Sequence, residues 1–338
     1  MAMTIYDISK KAGVSIATVS RVLNGSENVR PSTRKKVMDV IDKYDYTPNA
    51  FARGMGLHSL KTIGILCADS SDLFLAKAVY FLEQELQANG YESLLCCTGY
   101  NPDIKKNYLN LILSKKVDSI ILVGSHFIGF NEDENQYIKD VSTQVPIMLL
   151  NASFDHPNVY STLCDDYGTM FEAATEMIQS GITDILYLYD SKSYSGLKKL
   201  HGFSDAMKEY NIPGFEKLIH FYDGNIEHLN EVADFVARIA TKGTSFHGIM
   251  TSDDSLAIGS IKYAQKKGIR IPEELSVMGY NNSMLTNCCT PELTSVDNRL
   301  ETQTHQLVQT LLGVLAGEEM PKKSIFSGKI IKRGTTLF

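Results

Sequence analysis

The sequence predicts a two-part protein in which a small all-α head precedes a larger α/β core. Within residues 4–44, apolar residues recur at helical spacing in three short segments separated by capping and turn residues. From Thr62 onward, continuous apolar segments typical of buried strands alternate with segments of helical periodicity, which indicates parallel sheets covered by helices on both faces. A chain of 338 residues is long enough for this head and for a core of two doubly wound subdomains.

Two short helices joined by a tight turn are expected at the start of the head. Thr4 can cap the first helix, because Asp7 follows it at capping-box spacing. Gly13 supplies the turn, and Ser15 caps the second helix. The apolar residues of the first helix that recur at helical spacing, and are therefore expected inside, are Ile5, Ile8 and Ala12.

The second helix has one apolar side and one side suited to contact with DNA. Val19, Val22 and Leu23 fall on one face and are expected inside. The other face carries small residues, hydroxyl groups and one guanidinium: Ile16, Ala17, Thr18, Ser20 and Arg21. Such a face suits a helix that lies in the major groove of DNA. The geometry alone leaves open a pair of helices that merely pack together.

A third helix and a linker follow. Pro31 stands at the start of the helix, and its expected buried residues are Val37, Val40, Ile41 and Tyr44. In the segment YTPNAFARGM (46–55), Asn49 can cap a short helix. Gly54 and Gly56 weaken that helix by about 1 kcal/mol each relative to Ala. We therefore expect a flexible linker that folds as a hinge helix when two copies meet on DNA.

The charge of the chain is distributed unevenly. Residues 1–61 contain ten Lys or Arg and five Asp or Glu residues, a net charge of +5. Because the whole chain carries −6, the remainder carries −11. A basic head on an acidic body is the distribution expected if only the head contacts phosphate groups.

The core is expected to consist of parallel sheets. Strands are expected at 62–67, 91–97, 118–125, 146–151, 159–164, 184–189, 247–252 and 275–280. Helices are expected near 73–89, 103–116, 195–210, 226–240, 255–267 and 299–316, with another beginning near Asp166. Open parallel sheets bind ligands at the carboxyl ends of their strands, so two such sheets facing each other would form a ligand cleft.

The sequence AGVSIATVSRVLN followed by YTPNAFAR resembles the lactose/galactose repressor (LacI/GalR) family of bacterial transcription regulators. The resemblance continues along the chain through DDYG (165–168), HGF (201–203), MGYNN (278–282), PELTSV (291–296) and KRGTT (332–336). It implies a helix-turn-helix DNA-binding head (1–46), a hinge (47–61) and a periplasmic-binding-protein type I core. The implied subdomains are 62–162 with 292–322, and 163–291 with 323–338.

The resemblance also implies how the protein contacts DNA. Arg21 is expected at a guanine edge, and the hinge is expected in the minor groove. Met55 occupies the position where the family has a Leu that opens the central base step, and Met can also act as a wedge. The full set of expected DNA contacts is Thr4, Tyr6, Ser15, Ile16, Ala17, Thr18, Ser20, Arg21, Asn24, Asn49, Ala50, Arg53 and Met55.

Polar residues that follow strand ends form the expected effector site. They include no nucleophile–base pair, so they suit hydrogen bonding to a polar metabolite. Positions directly after strands place six residues there: Asp69, Ser125, Asn151, Asp253, Asn281 and Asn298. The resemblance implies effector contacts at Phe74, Leu75, Ser125, Asn151, Ser195, Lys199, Asp253 and Asn281. Lys199 and Asn281 stand where the family usually has Arg and Asp, so the ligand is expected to differ from a standard hexose or purine. Asp165 and Asp254 are expected to be structural.

Other classes of site and protein are less consistent with the sequence. His126, His201 and His247 lack paired spacing, the six cysteines lack zinc-ligand spacing, and disulfides are not expected. We therefore expect no metal, no cofactor and no enzymatic activity. The start MAMTIYD lacks the features of a secretion signal, and no apolar stretch is long enough to span a membrane, so we expect a cytoplasmic protein.

The expected function is ligand-responsive repression of genes for carbohydrate or other metabolite use. The expected partners are a pseudo-palindromic operator in double-stranded DNA, a sugar or sugar derivative, and a second copy of the chain. One alternative is a global regulator whose DNA binding needs a protein co-regulator such as a phosphocarrier. A pure small-molecule-binding protein is the alternative from another class, and the basic head disfavours it.

Overall fold

The structure is a computed structural model that describes residues 3–23, 26, 28–46 and 59–338. Five expected DNA contacts lie outside the described residues: Asn24, Asn49, Ala50, Arg53 and Met55. Within the described ranges, the structure contains no helix that is both long and apolar enough to cross a membrane.

The described part of the head contains α1 (Ile5–Ala12), α2 (Ile16–Leu23) and α3 (Pro31–Lys43). The expected capping box is present: the Asp7 amide donates to Thr4 Oγ1 (3.4 Å), and the Asp7 carboxylate accepts from the Thr4 amide (3.0 Å). Gly13 ends α1 with φ of 64°, in the left-handed region that favours glycine. The helix-turn-helix prediction is thereby confirmed.

One residue from each helix forms the centre of the head's core. Ile8, Val19 and Val37 are completely buried, and each such burial contributes about 1.5–3 kcal/mol. The expectation that Tyr44 lies inside is wrong, because the residue follows the end of α3 and is 39% exposed. Tyr46 is buried in the core.

Within the described residues, the first sheet of the core has six parallel strands. They are β1 (Thr62–Cys67), β2 (Glu92–Cys97), β3 (Ser119–Val123), β4 (Ile147–Leu150), β5 (Val159–Cys164) and β11 (Lys323–Phe326), in the order β11-β5-β4-β3-β1-β2. The helices between them are α4 (Leu73–Ala88), α5 (Pro102–Ser114) and α6 (Gln136–Ser142), and α11 (Leu300–Leu315) packs beside α4. The strands β1, β3 and β4 are buried on both faces, as expected of a parallel sheet, whereas the edge strands β2 and β11 are partly exposed.

The second sheet, counted over the same described ranges, repeats this arrangement. Its strands are β6 (Ile185–Tyr189), β7 (Ile219–Phe221), β8 (Gly248–Thr251), β9 (Ser276–Tyr280), β10 (Thr294–Asp297) and β12 (Lys329–Ile331), in the order β12-β10-β9-β8-β6-β7. Only β12, an edge strand, runs antiparallel among them. The accompanying helices are α7 (Asp166–Gln179), α8 (Tyr194–Glu209), α9 (Leu229–Thr241) and α10 (Asp254–Lys267).

The chain crosses between the two sheets at positions that differ from the expected subdomain boundaries. The second crossing follows β10 rather than residue 291, because β10 pairs with β9 in the second sheet. Likewise β11 belongs to the first sheet rather than the second, because it pairs with β5. The crossings therefore lie after Cys164, between Asp297 and Leu300, and between Phe326 and Lys329.

Candidate functional site

The outer face of α2 has the character expected from the sequence. Ile16 is 38% exposed, and Ala17 and Arg21 are also exposed, whereas Thr18 and Ser20 are half-buried. Tyr6 of α1, the aromatic residue among the expected contacts, is 65% exposed.

Two of the expected contacts have a local structural role. Ser15 caps α2, because its hydroxyl accepts a hydrogen bond from the Thr18 amide (3.2 Å), and it also lies 2.9 Å from the Thr18 hydroxyl. Thr4 is held in the capping box by Asp7. Their hydroxyls orient the helix starts, and the exposed Ile16, Ala17 and Arg21 form the part of the face that is accessible to a partner.

The second candidate site is a cleft between the two sheets of the core. In the first sheet β1 lies between β2 and β3, and in the second sheet β6 lies between β7 and β8. The strand order therefore reverses at β1 in the first sheet and at β6 in the second. Open α/β sheets bind ligands at the carboxyl ends of the strands at such a switch point. A cavity of about 700 Å³ opens there, continuous in its lining with a smaller inner chamber of about 90 Å³.

The first sheet contributes one wall of the cleft. Asp69 follows β1, and its carboxylate accepts hydrogen bonds from the amide and hydroxyl of Ser71 (both 2.8 Å), which hold the pKa of Asp69 below its ordinary value. Asp72 caps α4 by accepting a hydrogen bond from the Leu75 amide (2.8 Å). Ser125 follows β3 and lies in the inner chamber.

The second sheet contributes the opposite wall. Asp190 follows β6 and accepts a hydrogen bond from the Ser252 hydroxyl (2.7 Å). Asp253 follows β8, caps α10 through the Ser255 amide (2.7 Å), and accepts a second bond from the Asn281 side-chain amide (2.8 Å). Asn281 therefore acts as a donor to Asp253, a role that a carboxyl group at this position could fill only when protonated.

The floor of the inner chamber is a buried polar network around Lys199. The Lys199 ammonium donates to the Ser252 carbonyl (3.0 Å) and lies 3.8 Å from the centre of the Tyr280 ring. Asp166 is buried and accepts hydrogen bonds from the hydroxyls of Ser195 (2.5 Å) and Tyr280 (2.6 Å). Burial raises the pKa of Asp166, and the positive charge of Lys199 opposes that shift. This network fixes the directions of the groups that a ligand would meet.

Besides Asp166, three carboxyl groups in and beside the cleft have raised pKa values. Burial raises the pKa of Asp72 to about 6, and the charges of Asp253 and Asp190 add to the shift. Burial and then Asp190 raise the pKa of Asp253. Burial, followed by the charge of Asp253, raises the pKa of Asp254 to about 7.

Asp254 and Asp165 have the structural roles expected of them. Asp254 accepts hydrogen bonds from the Ser295 hydroxyl and the Ser283 amide (both 2.6 Å). Asp165 caps α7 through the Gly168 amide (3.0 Å).

Hydrogen bonds also join the two walls directly. The Ser125 hydroxyl of the first wall donates to the Ser193 hydroxyl of the second (2.8 Å), and Ser193 also accepts from Ser191 (2.8 Å). His126 Nε2 lies 3.4 Å from the Ser191 hydroxyl. Ser125, His126, Ser191 and Ser193, which make these contacts, all line the inner chamber.

The structure brings together most of the residues expected to bind ligand. The cleft and its inner chamber are lined by Asp69, Phe74, Leu75, Ser125, Ser195, Lys199, Asp253 and Asn281. Asn151 is not among the lining residues, because it follows β4, one strand beyond β3. Asn298 lines a separate cavity beside α4 and reaches the cleft only through its hydrogen bond to Asn281 (3.0 Å).

Several lining residues were missed by the sequence analysis as ligand contacts: Asp72, Tyr100, His126, Asp190, Ser191, Phe221, Tyr222 and Ile226. Asp190 directly follows an expected strand, so the strand-end argument applied consistently would have found it. Phe221 belongs to β7, a strand of three residues that is too short for a clear apolar signal. In the described part of the chain, no group of three or more His, Cys, Asp or Glu side chains could hold a metal ion.

Comparisons with known proteins agree with both parts of this architecture. Residues 4–49 match the family profile described as bacterial regulatory proteins of the lacI family, and residues 174–336 match that of a periplasmic binding protein-like domain. An HTH-type transcriptional regulator of Lachnoclostridium phytofermentans is 49% identical, with 99% of this chain and 100% of that protein covered. Catabolite control protein A of Priestia megaterium is 33% identical, covering 88% of this chain and 87% of the relative.

Solved structures show the same fold. The lac repressor dimer bound to operator and the anti-inducer ONPF superposes with a TM-score of 0.87 and covers 100% of both chains, at 21% identity. The two-sheet core and the helical head are therefore a shared architecture.

Proposed function

Because this chain belongs to the LacI family of bacterial regulatory proteins, we propose that it is a cytoplasmic, ligand-responsive repressor of genes for the use of a sugar or sugar derivative. The observation that carries the proposal is the presence in one chain of a helix-turn-helix with an exposed Arg21 and a polar cleft at the switch points of two sheets. The first can bind DNA, and the second can bind a metabolite.

The proposed DNA contacts divide by chemistry. Arg21 reads a guanine edge, while Ile16 and Ala17 contact base edges and thymine methyl groups. Hydroxyl and amide side chains hold phosphates and set the register: Thr4, Tyr6, Ser15, Thr18, Ser20 and Asn24. In the hinge, Asn49, Ala50 and Arg53 contact the minor groove, and Met55 wedges the central base step.

We propose that two copies act together on a pseudo-palindromic operator. Each head then reads one half-site, and the two Met55 side chains meet at the centre, for which the family predicts a C–G step. Ligand binding changes the contacts between the cleft walls and so the angle between subdomains, which alters the separation of the two heads and their joint affinity for DNA.

A second candidate within the regulator class has a specific observation in its favour. Several relatives are named catabolite control protein A, including one that is 33% identical. In this candidate, a global regulator binds DNA together with a protein co-regulator. DNA binding by the isolated protein distinguishes the two candidates, because the co-regulator is needed only in the second.

The proposed function is tested by selecting genomic DNA fragments with the purified full chain at a stated moderate salt concentration. We expect enrichment of one pseudo-palindrome with a central C–G step. As a matched control, the double substitution of Ile16 and Arg21 by Ala should remove that enrichment. If the isolated protein selects no sequence, either alone or with a panel of sugars and sugar derivatives present, the ligand-responsive repressor is contradicted in favour of the co-regulator-dependent candidate.

A further inference from the structure

The lining of the cleft is strongly negative. Six carboxylate side chains line the cavity and its inner chamber: Asp69, Asp72, Asp190, Asp223, Glu227 and Asp253. Among the described lining residues, Lys199 carries the only side-chain ammonium or guanidinium. His126 does not compensate, because burial and the charge of Lys105 lower its pKa to about 4.

Three of these carboxylates converge from three strand ends. Asp72 follows β1, Asp190 follows β6 and Asp253 follows β8, and all three line both the cavity and the inner chamber. The single positive charge of Lys199 cannot neutralise all three carboxylates, and it also interacts with the buried carboxyl group of Asp166. Lys192 lies outside the lining, over the Phe221 ring. Charges withdrawn from water without a partner are costly, so this wall favours a positively charged occupant.

The hydrogen-bond acceptors of the cleft also favour a positively charged ligand. The bonds to Asp69 and Asp190 all go to Oδ1, and Oδ2 of each accepts none from the residues that the structure describes. Ionised carboxylates accept hydrogen bonds and cannot donate them. The complementary ligand is therefore rich in donors, such as hydroxyl and ammonium groups.

The size and outer wall of the cavity define the ligand further. A volume of about 700 Å³ falls within the range of roughly 300–1,000 Å³ typical of small-molecule sites, so there is room for more than one ring. Tyr100, Phe221 and Tyr222 line this outer part. Aromatic faces pack against sugar rings and also attract cations.

We propose that the effector is a cationic, hydroxyl-rich molecule, such as an amino sugar or a short glycoside of one, whose ammonium group lies among Asp72, Asp190 and Asp253. The proposal rests on the proposed function, because it names the ligand class of the same cleft. A neutral sugar would use the acceptors but leave the three charges uncompensated. An anionic sugar phosphate or uronate would be repelled.

A matched series of β-1,4-linked disaccharides tests the proposal by calorimetric titration of the full chain slightly below neutral pH. The four probes are the glucosamine dimer, its N-acetylated form, cellobiose and cellobiouronic acid, which differ in charge on a similar frame. We expect the glucosamine dimer to bind at least about tenfold more tightly than the other three, a difference of about 1.4 kcal/mol. Added salt should weaken its binding, because the interaction is between charges.

A substitution locates the ammonium group. Asp190→Asn keeps an oxygen for the Ser252 hydroxyl and removes only the charge, so we expect the affinity for the glucosamine dimer to fall by at least about tenfold. Asp140→Asn, at an exposed position of α6 outside the lining of the cleft, is the matched control and should have little effect. Unchanged unfolding temperatures would show that both variants fold.

Three results would overturn the proposal: no measurable binding of the glucosamine dimer, equal or tighter binding of a neutral or acidic probe, or binding that is insensitive to Asp190→Asn. None of these affects the selection of an operator by the head. A failure of the ligand class is therefore distinguishable from a failure of the proposed function.

Discussion

Replacing Asp72 by Asn is expected to stabilise the core by about 2 kcal/mol at pH 8, although the substitution removes a charged helix cap. Burial and the neighbouring charges of Asp253 and Asp190 raise the pKa of Asp72 from 3.8 to about 6. Such a shift corresponds to a cost of roughly 3 kcal/mol for the ionised form. Loss of the favourable interaction between the carboxylate and the α4 dipole, about 0.3–1 kcal/mol, reduces the gain, and Asn keeps the cap itself.

The effect has a defined pH dependence. Between pH 4 and pH 6 the folded protein holds a proton on Asp72 that the unfolded chain has lost, so ionisation of this group destabilises the fold as pH rises. The stability difference between Asp72→Asn and the wild type should therefore be small near pH 4 and complete above about pH 7. Denaturant unfolding of the full chain across this pH range measures it.

Asp69 provides the matched control for this prediction. It lies on the same wall, but the hydrogen bonds from Ser71 lower its pKa, so the ionised form is favoured in the folded state. Asp69→Asn should consequently bring no stabilisation at pH 8. Equal stabilisation by both substitutions, or none by Asp72→Asn, would show that burial and the neighbouring carboxylates do not destabilise the ionised form of Asp72.

Replacing Arg21 by Ala is expected to weaken binding to the selected operator by about 5- to 150-fold, equivalent to 1–3 kcal/mol. Arg21 is exposed on the outer face of α2, so its guanidinium is accessible to a base edge. The loss should be concentrated at one base pair of each half-site. Competition assays with operators substituted one position at a time measure both quantities.

Lys35 is a suitable control for Arg21, because it is an exposed cation on α3 of the same head. Lys35→Ala should leave the sequence preference unchanged, whatever it does to overall affinity through phosphate charge. An Arg21→Ala variant that loses affinity equally for all sequences would contradict a base-reading role and leave only a phosphate contact.

The elements that the sequence predicts well are those with a strong local signal. The continuous apolar segments that became β1, β3, β6 and β9 are found where expected, since a strand buried on both faces needs apolar residues on both sides. The short strands β7 and β12, of three residues each, carry no such signal. β10 begins within PELTSV and ends at Asp297, but its sheet is decided by pairing with β9, a contact distant in sequence.

The sequence predicts those residues of the candidate site that directly follow a strand. That argument finds Asp69, Ser125 and Asp253, and it would also have found Asp190. It also gives Asn151, which does not line the cleft, because only the strand order shows which strands flank the switch point. The convergence of Asp72, Asp190 and Asp253 could not be predicted, because three separate segments must be placed in space before their charges can be seen to meet.

We propose that a ligand in the cleft controls DNA binding by the head. The most direct test measures the affinity of the full chain for its selected operator in the presence of a panel of sugars, glycosides and amino sugars. We predict that at least one compound changes the affinity by about 5-fold or more, a coupling of about 1 kcal/mol. Combined substitution of Lys199 by Met and Asp253 by Asn should abolish that response while leaving operator binding intact. An affinity that no compound alters, or a response that survives the loss of both cleft residues, would contradict the account.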